Sequence, residues 1–238
     1  MSVRIAAAAC LCLLAAAPAA AEGGRWSATG SLAFLTASGN SRTQSGSVKL
    51  EASRAREGRD KITLKAGAIL NRSDGEKTAE SEEVSGQYDY FVSERTYALG
   101  SLLAERDAFA GYDYRITGRL GAGHHFVKDD HDLLDGELGF DYVYENKDPE
   151  SEDFPAARAY GKWVHTFREG LAFTQDAELL ENLDQVSDLR VNTFTGLEVA
   201  LSAHLSLKTS LTVKYDAEPV PGSKTTDVYT ETALVVSY

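Results

Sequence analysis

The end of the chain alternates so strictly that only one backbone conformation accounts for it. From Asp227 to Tyr238, Val228, Thr230, Thr232, Leu234, Val236 and Tyr238 share one parity; Tyr229, Glu231, Ala233, Val235 and Ser237 share the other. A repeat of two places the two sets on opposite faces of a β-strand, one apolar and one more polar. The chain then stops on an aromatic residue. In an outer-membrane barrel the final strand closes the sheet, and a terminal aromatic joins the interfacial girdle. That reading requires the same alternation upstream.

The upstream sequence supplies it. Apolar rows run through Trp26–Phe34, Gly46–Ala52, Ile62–Leu70, Val84–Val92, Tyr114–Phe126, Leu134–Tyr144, Ala157–Trp163, Leu171–Leu179, Val191–Leu201 and Leu205–Tyr215. A segment at Tyr97–Glu105 also reads as a strand, but its facing is ambiguous. The total is about twelve strands near the ten-residue length of a membrane strand. The connections sort into two kinds. Glu57–Asp60, Ser93–Arg95, Lys128–His131, Arg168–Gly170 and Ser202–His204 are tight turns. Ser73–Ser81, Asp107–Tyr112, Asn146–Phe154, Asp184–Asp188 and Ala217–Thr226 are longer, after a short Ser38–Arg42 in which Gly39-Asn40 suits a tight hairpin. The expectation is an all-β, single antiparallel transmembrane barrel with short periplasmic turns and both termini periplasmic.

The N-terminus points to the same compartment. Arg4, an apolar Ile5–Ala17 and the small residues Pro18-Ala-Ala-Ala21 resemble a secretory signal, with an apolar run too short to span a bilayer as a helix. Residues 1–21 are therefore expected to be removed, leaving 22–238 as one barrel domain. Cys10 and Cys12 leave with the signal, so the mature chain has no disulfide and no thiolate chemistry. The whole chain carries a net charge of −12, and losing Arg4 makes it more acidic by one. Such a chain lacks the basic patch that nucleic-acid phosphates require.

The polar parity identifies candidate lumen residues: Lys49, Glu51, Lys65, Arg115, Arg119, Asp135, Glu137, Asp141, Arg158, Lys162, Arg190, Glu198, Lys214 and Glu231. Two arrangements fit them. Arg115 and Arg119 opposite Asp135, Glu137 and Asp141 would set a field across a narrow pore. Alternatively, the two signs neutralise each other and fill the lumen as a structural network. Neither sign dominates, which disfavours a pore selective for one ionic sign. The acidic clusters Asp74–Glu83 and Asp148–Asp153 are expected in outer loops, solvated and without the spacing of an EF-hand.

No Gly-x-Ser-x-Gly, His-Glu-x-x-His or phosphate loop occurs, so neither catalytic residues nor cofactors are assigned. Of the five histidines, only His125 takes the inward parity; His124 and His165 are expected at the interface. An outer-membrane lipase or protease is one alternative reading, and a soluble periplasmic lipocalin-like binding barrel is another, since its strands alternate too. The dense charge on the polar parity and the aromatics near strand ends favour the membrane barrel.

With these residues placed, the chain resembles the salt-induced outer membrane protein family of Gram-negative bacteria, a domain of unknown function (481). The resemblance rests on Trp26 with Gly30, Thr36-Ala-Ser-Gly-Asn-Ser-Arg-Thr43, Tyr88-Asp-Tyr-Phe91 and Glu105-Arg-Asp-Ala-Phe109. It continues through Arg119-Leu-Gly-Ala-Gly123 and Leu134-Asp-Gly-Glu-Leu-Gly139 followed by Tyr142. It implies an outer-membrane barrel in contact with membrane lipid and lipopolysaccharide, a link to salt stress, and recognition of the C-terminal strand, Tyr238 above all, by the barrel-assembly machinery. It brings no established activity or site.

Overall fold

A computed structural model describes residues 25–37, 43–74, 76–107, 112–147, 150–219 and 224–238. The expected signal segment 1–21 and the Gly39-Asn40 turn lie outside these residues. Twelve strands follow one another: β1 (Arg25–Ala37), β2 (Thr43–Arg56), β3 (Asp60–Ser73), β4 (Glu76–Phe91), β5 (Thr96–Asp107) and β6 (Tyr112–Lys128). They continue as β7 (Asp132–Lys147), β8 (Glu150–Arg168), β9 (Leu171–Asn182), β10 (Leu189–Ala200), β11 (Leu205–Asp216) and β12 (Thr226–Ser237). Every strand pairs antiparallel with its neighbours in sequence, and β1 meets β12 to close the barrel. Closure satisfies the backbone polar groups that an open sheet would strand in lipid.

The apolar parity faces outward. Leu32, Phe34, Leu102, Leu120, Leu138 and Phe140 all have more than 60% of their surface exposed, which in water would be a large cost. Aromatic side chains collect at two heights on this face. Trp26, Tyr88, Phe126, Trp163, Phe167 and Tyr238 lie toward the short-turn end, and Tyr114, Tyr142 and Tyr215 toward the other. Tyr114 and Phe126 are separated by about 40 Å of strand, and a tilt of roughly 40° leaves about 30 Å along the axis, the height of a membrane band. Polar side chains on this face pair with each other: Thr195 Oγ1 donates to Gln175 Oε1 at 2.6 Å, and the hydroxyls of Thr209 and Thr232 meet at 3.3 Å, so each satisfies the other where water is absent.

The short-turn end carries the local chemistry expected of tight hairpins. Gly58 and Gly170 occupy positive φ, 68° and 77°, where a side chain would be strained. Asp129 accepts from the backbone N–H groups of Asp132 and His131 at 2.8 and 2.9 Å. Those two bonds, the one from Asp132 first, hold its carboxyl below the usual carboxylate range.

The opposite end differs from expectation. Ser73–Ser81 and Asn146–Phe154 are not long loops: β3 runs to Ser73 with β4 starting at Glu76, and β7 runs to Lys147 with β8 starting at Glu150. Glu76, Glu80, Glu82, Glu83, Glu152 and Asp153 therefore stand on strands, and the strands are 12 to 19 residues long rather than about ten. The apolar row reports only the lipid-facing part of a strand. Backbone pairing continues into solvent, where polar side chains are tolerated on both faces. The ambiguous segment resolves as well: in β5 Tyr97 and Leu99 are buried inside the barrel, while Leu102 faces out at 67% exposure.

Candidate functional site: a bridged lumen

The lumen inherits its charge pattern from the strands. Inward positions are basic on β6 (Arg115, Arg119), acidic on β7 (Asp135, Glu137, Asp141, Glu145), basic on β8 (Arg158, Lys162) and acidic on β9 (Asp176, Glu178). Opposite residues on adjacent strands have Cβ atoms about 5 Å apart, so an alternation by strand pairs almost every charge with its opposite. The register makes the match: Arg119 lies opposite Asp141, and Arg115 opposite Glu145.

A continuous chain of hydrogen bonds and ion pairs results. Arg119 binds Asp141 through Nε (2.9 Å to Oδ1) and Nη2 (2.7 Å to Oδ2), then reaches past β7 and β8 to Glu178 on β9 at 3.4 Å. Arg158 Nε donates to Glu178 Oε2 at 2.5 Å, and its Nη1 donates to Glu137 Oε2 at 2.8 Å. Tyr97 Oη ends the chain on Glu137 Oε1 at 2.9 Å, and Asn192 Nδ2 adds a contact to Glu178 at 3.4 Å. The chain runs from β5 to β10 and forms a waist across half of the barrel wall.

A second cluster lies nearer the long-connection end. The Glu145 side chain is 0% exposed and pairs with Arg115 at 2.6 Å, with Lys147 at 3.0 Å and with Arg190 from β10. Arg190 also holds Asp188 at 3.0 Å and lies over the ring of Phe154. Phe154, Val143 and Ala156 are buried against each other beside it, with Leu180 packed on them. This apolar cluster inside the barrel removes water from the ion pairs and strengthens them.

Glycines admit the waist. A Cβ on Gly123 would stand 2.2 Å from the Tyr97 ring, so only glycine lets that ring lie flat on β6 and reach Glu137. A Cβ on Gly121 would meet the Leu138 carbonyl at 2.5 Å, so the β6–β7 backbones approach closely just there. Both glycines belong to the Arg119–Gly123 stretch already singled out.

The waist divides the interior. On the short-turn side lies a cavity of about 1440 Å³, on the other a vestibule of about 140 Å³. Leu103, Arg119, Glu178 and Asn192 belong to the walls of both, so the two spaces meet at the waist. Glu51, Lys65, Asp135, Glu137, Arg158 and Lys162 line the large chamber; Arg115, Asp141, Arg190 and Lys214 line the vestibule. Lys49 pairs with Glu231 at 3.1 Å, and Glu198 accepts from Ser206 at 2.5 Å.

The expected row of Arg115 and Arg119 against Asp135, Glu137 and Asp141 needs correction. Asp141 takes Arg119, but Asp135 binds His125 Nδ1 at 2.5 Å, and Glu137 takes Arg158 and Tyr97. Residues four apart on one strand sit about 13 Å apart, beyond the reach of a shared pair. Glu178 and Asp176 are not among the lumen residues expected from the sequence. The signal was present, since Ala177 and Leu179 on the outer face leave Glu178 pointing in. Tyr97 was hidden by the mixed facing of its segment. Among the described residues, no group of three or more His, Cys, Asp or Glu side chains is arranged to hold a metal ion.

Comparison with known proteins agrees with this architecture. A family model described as "Protein of unknown function, DUF481" matches residues 30–238. The uncharacterized protein YdiY of Escherichia coli (strain K12) is 25% identical over 207 residues, covering 86% of this chain and 79% of that one. Among solved structures, the NanC porin aligns over 90% of this chain and 98% of its own with a TM-score of 0.52 and 10% identity. The translocator domain of the autotransporter NalP from Neisseria meningitidis covers 99% and 95%, at 0.50 and 11%. At these identities the two structures speak for the fold: a closed, twelve-stranded barrel of the outer-membrane kind.

Proposed function

Since the chain belongs to the DUF481 family of proteins of unknown function and closes an outer-membrane-type barrel around a bridged lumen, we propose that it is a narrow passive conduit for small polar solutes in the outer membrane. The short turns and both termini face the periplasm in this reading, and the apolar face and its aromatic belts contact membrane lipid and lipopolysaccharide. The observation that carries the proposal is the meeting of two cavities at Arg119, Glu178, Asn192 and Leu103. A wall built only for strength has no need of a large chamber below its bridge, and a wide pore would have no bridge.

Because basic and acidic strands alternate, the path exerts no strong preference for either ionic sign. His125 is oriented by Asp135 and packs in tilted contact with the rings of Tyr97 and Phe91. No hydroxyl nucleophile hydrogen-bonds to its ring among the described residues. A conduit this tight also fits the salt association that the resemblance implies, because it would let ions equilibrate slowly without admitting large solutes.

The test is single-channel recording in planar bilayers. The wild type is expected to show a small conductance with similar permeability to K⁺ and Cl⁻. Replacing Arg119 and Glu178 together with Ala is expected to raise it several-fold. A variant that conducts no better than wild type, with its circular dichroism intact, refutes the waist as the constriction and leaves a purely structural barrel.

A further inference from the structure

The wall is not equally knit all the way round. β1 pairs with β2 along its whole length, from Arg25↔Ala55 to Ala37↔Thr43, and β12 pairs with β11 from Thr226↔Tyr215 to Val236↔Leu205. Between β1 and β12 the ladder is much shorter. It begins with the reciprocal Ala28 and Tyr238 bonds at 2.9 Å, runs from Thr29↔Ser237 to Leu32↔Leu234, and stops. Residues 33–37 of β1 and 229–233 of β12 would be the next partners in that register. Both stretches are strand, and among the described residues they do not pair with each other.

Five unpaired positions on each edge make a gap about 16 Å long, running from mid-barrel toward the long-connection end. Phe34, at 74% exposure, borders it on one side, and Thr230 and Thr232 on the other, with Val228 beyond and Leu32 and Leu234 at its base. These outward side chains are level with the lipid. Unpaired backbone groups are strongly disfavoured in lipid, so an edge left open at that depth implies a reason for the opening.

Inside the gap a side chain replaces the missing ladder. Glu231 of β12 reaches past β1 to β2, accepting from Ser47 Oγ at 2.5 Å and from Lys49 Nζ at 3.1 Å. The β1 residue opposite Ser47 is Ala33, small enough to be bridged over. The same unpaired part of β12 carries Tyr229, and Asp227 precedes it; both line the vestibule above the waist. The gap therefore borders that polar vestibule, which also holds Lys214 and Arg115.

We infer that the β1–β12 seam is a latched lateral opening between the vestibule and the bilayer, with Glu231 on Ser47 and Lys49 as its latch. The class of molecule it suits is a single-chain amphiphile. An apolar chain can lie between the edges, where Phe34 and Leu234 are already in lipid, while a charged or zwitterionic headgroup enters the vestibule among Lys214, Arg115 and Asp227. A fully apolar molecule would meet ionised groups at once, and a fully polar one would have no route through the lipid. The inference rests on the bilayer placement proposed above but not on axial conduction through the waist.

Photolabelling in proteoliposomes tests it. The probe is a lysophosphatidylcholine carrying a diazirine on its acyl chain, and the labelled residues are read by mass spectrometry. In the wild type, label is expected on the inward residue Tyr229 as well as on outward Phe34 and Leu234. Glu231→Ala should raise the Tyr229 label several-fold. The chain has no cysteine after Cys12, so a Phe34→Cys, Thr232→Cys pair can be oxidised uniquely; that disulfide, midway up the gap, should abolish the inward label until it is reduced. Recovery on reduction shows that the doubly substituted barrel is folded. Label that stays on outward residues in every variant overturns the lateral opening while leaving the bilayer placement standing. Absence of label from Phe34, Leu32 and Leu234 overturns the placement and the opening together.

Discussion

Glu145 is the most exposed point of the architecture in energetic terms, because it is the least exposed to solvent. Its side chain is 0% accessible and neutralises Arg115 at 2.6 Å, Arg190 and Lys147. Glu145→Ala would leave the guanidinium of Arg115, 18% exposed, without its nearer carboxylate; Glu105 lies 3.8 Å away, and the Tyr112 ring lies beneath it at 4.0 Å. Removing one member of a buried pair costs about 3–5 kcal/mol, or roughly two to three and a half powers of ten in the unfolding equilibrium. The same pair in contact with water would be worth only about 0–1 kcal/mol. The measured loss thus reports whether the upper lumen is dry. Reversible urea unfolding in phospholipid vesicles, followed by the emission of Trp26 and Trp163, supplies the number. A loss below about 1 kcal/mol would refute the claim that the Val143–Phe154–Ala156 cluster excludes water from the pair. A second variant, Arg115→Met, Glu145→Leu, Asp188→Asn, Arg190→Met, removes the carboxylate with both arginines and with the buried partner of Arg190, leaves Lys147 its pair with Glu152 at 2.9 Å, and should recover most of the loss, since apolar replacements of a buried ion cluster are commonly neutral or better.

Two further outcomes follow from local geometry. Gly123→Ala places a Cβ where the Tyr97 ring lies, and should cost about 1–3 kcal/mol in the same unfolding assay; adding Tyr97→Ala should relieve most of the clash, and failure to do so would show that the ring is not the obstacle. Deleting Tyr238 removes both Ala28 bonds and the stack on His204 at 5.2 Å, so insertion should slow, measured as the heat-modifiable folded fraction over time in cells and in vesicles. Slowing in cells alone points to the assembly machinery reading the C-terminus, and normal insertion in both would dismiss Tyr238 as a closing residue.

Much of the candidate site can be read from period-two alternation, and the exceptions share a cause. Arg119 and Arg158 are inward because Leu120 and Ala157 are outward, which one strand decides alone. That Arg119 holds Asp141 while Asp135 turns to His125 depends on the β6–β7 register, which alternation leaves free by any even shift. The acidic stretches at Glu76–Glu83 and Glu150–Asp153 looked like loops because their side chains carry no apolar row, yet backbone pairing asks nothing of side chains in water. The facing of Tyr97 is not legible in the sequence, because an aromatic beside glycines and leucines fits either face.

By itself the sequence determined an all-β chain of about twelve strands and its two faces, because burial in lipid acts on each residue separately and leaves a periodic trace. Only the tertiary structure decided what the lumen contains. The chain from Asp141 through Arg119, Glu178, Arg158 and Glu137 to Tyr97 crosses five strands, and Glu231 reaches Ser47 and Lys49 across 182 to 184 residues of chain. Those partners are chosen by strand stagger and barrel curvature, which depend on all twelve strands closing together and are written in no single segment.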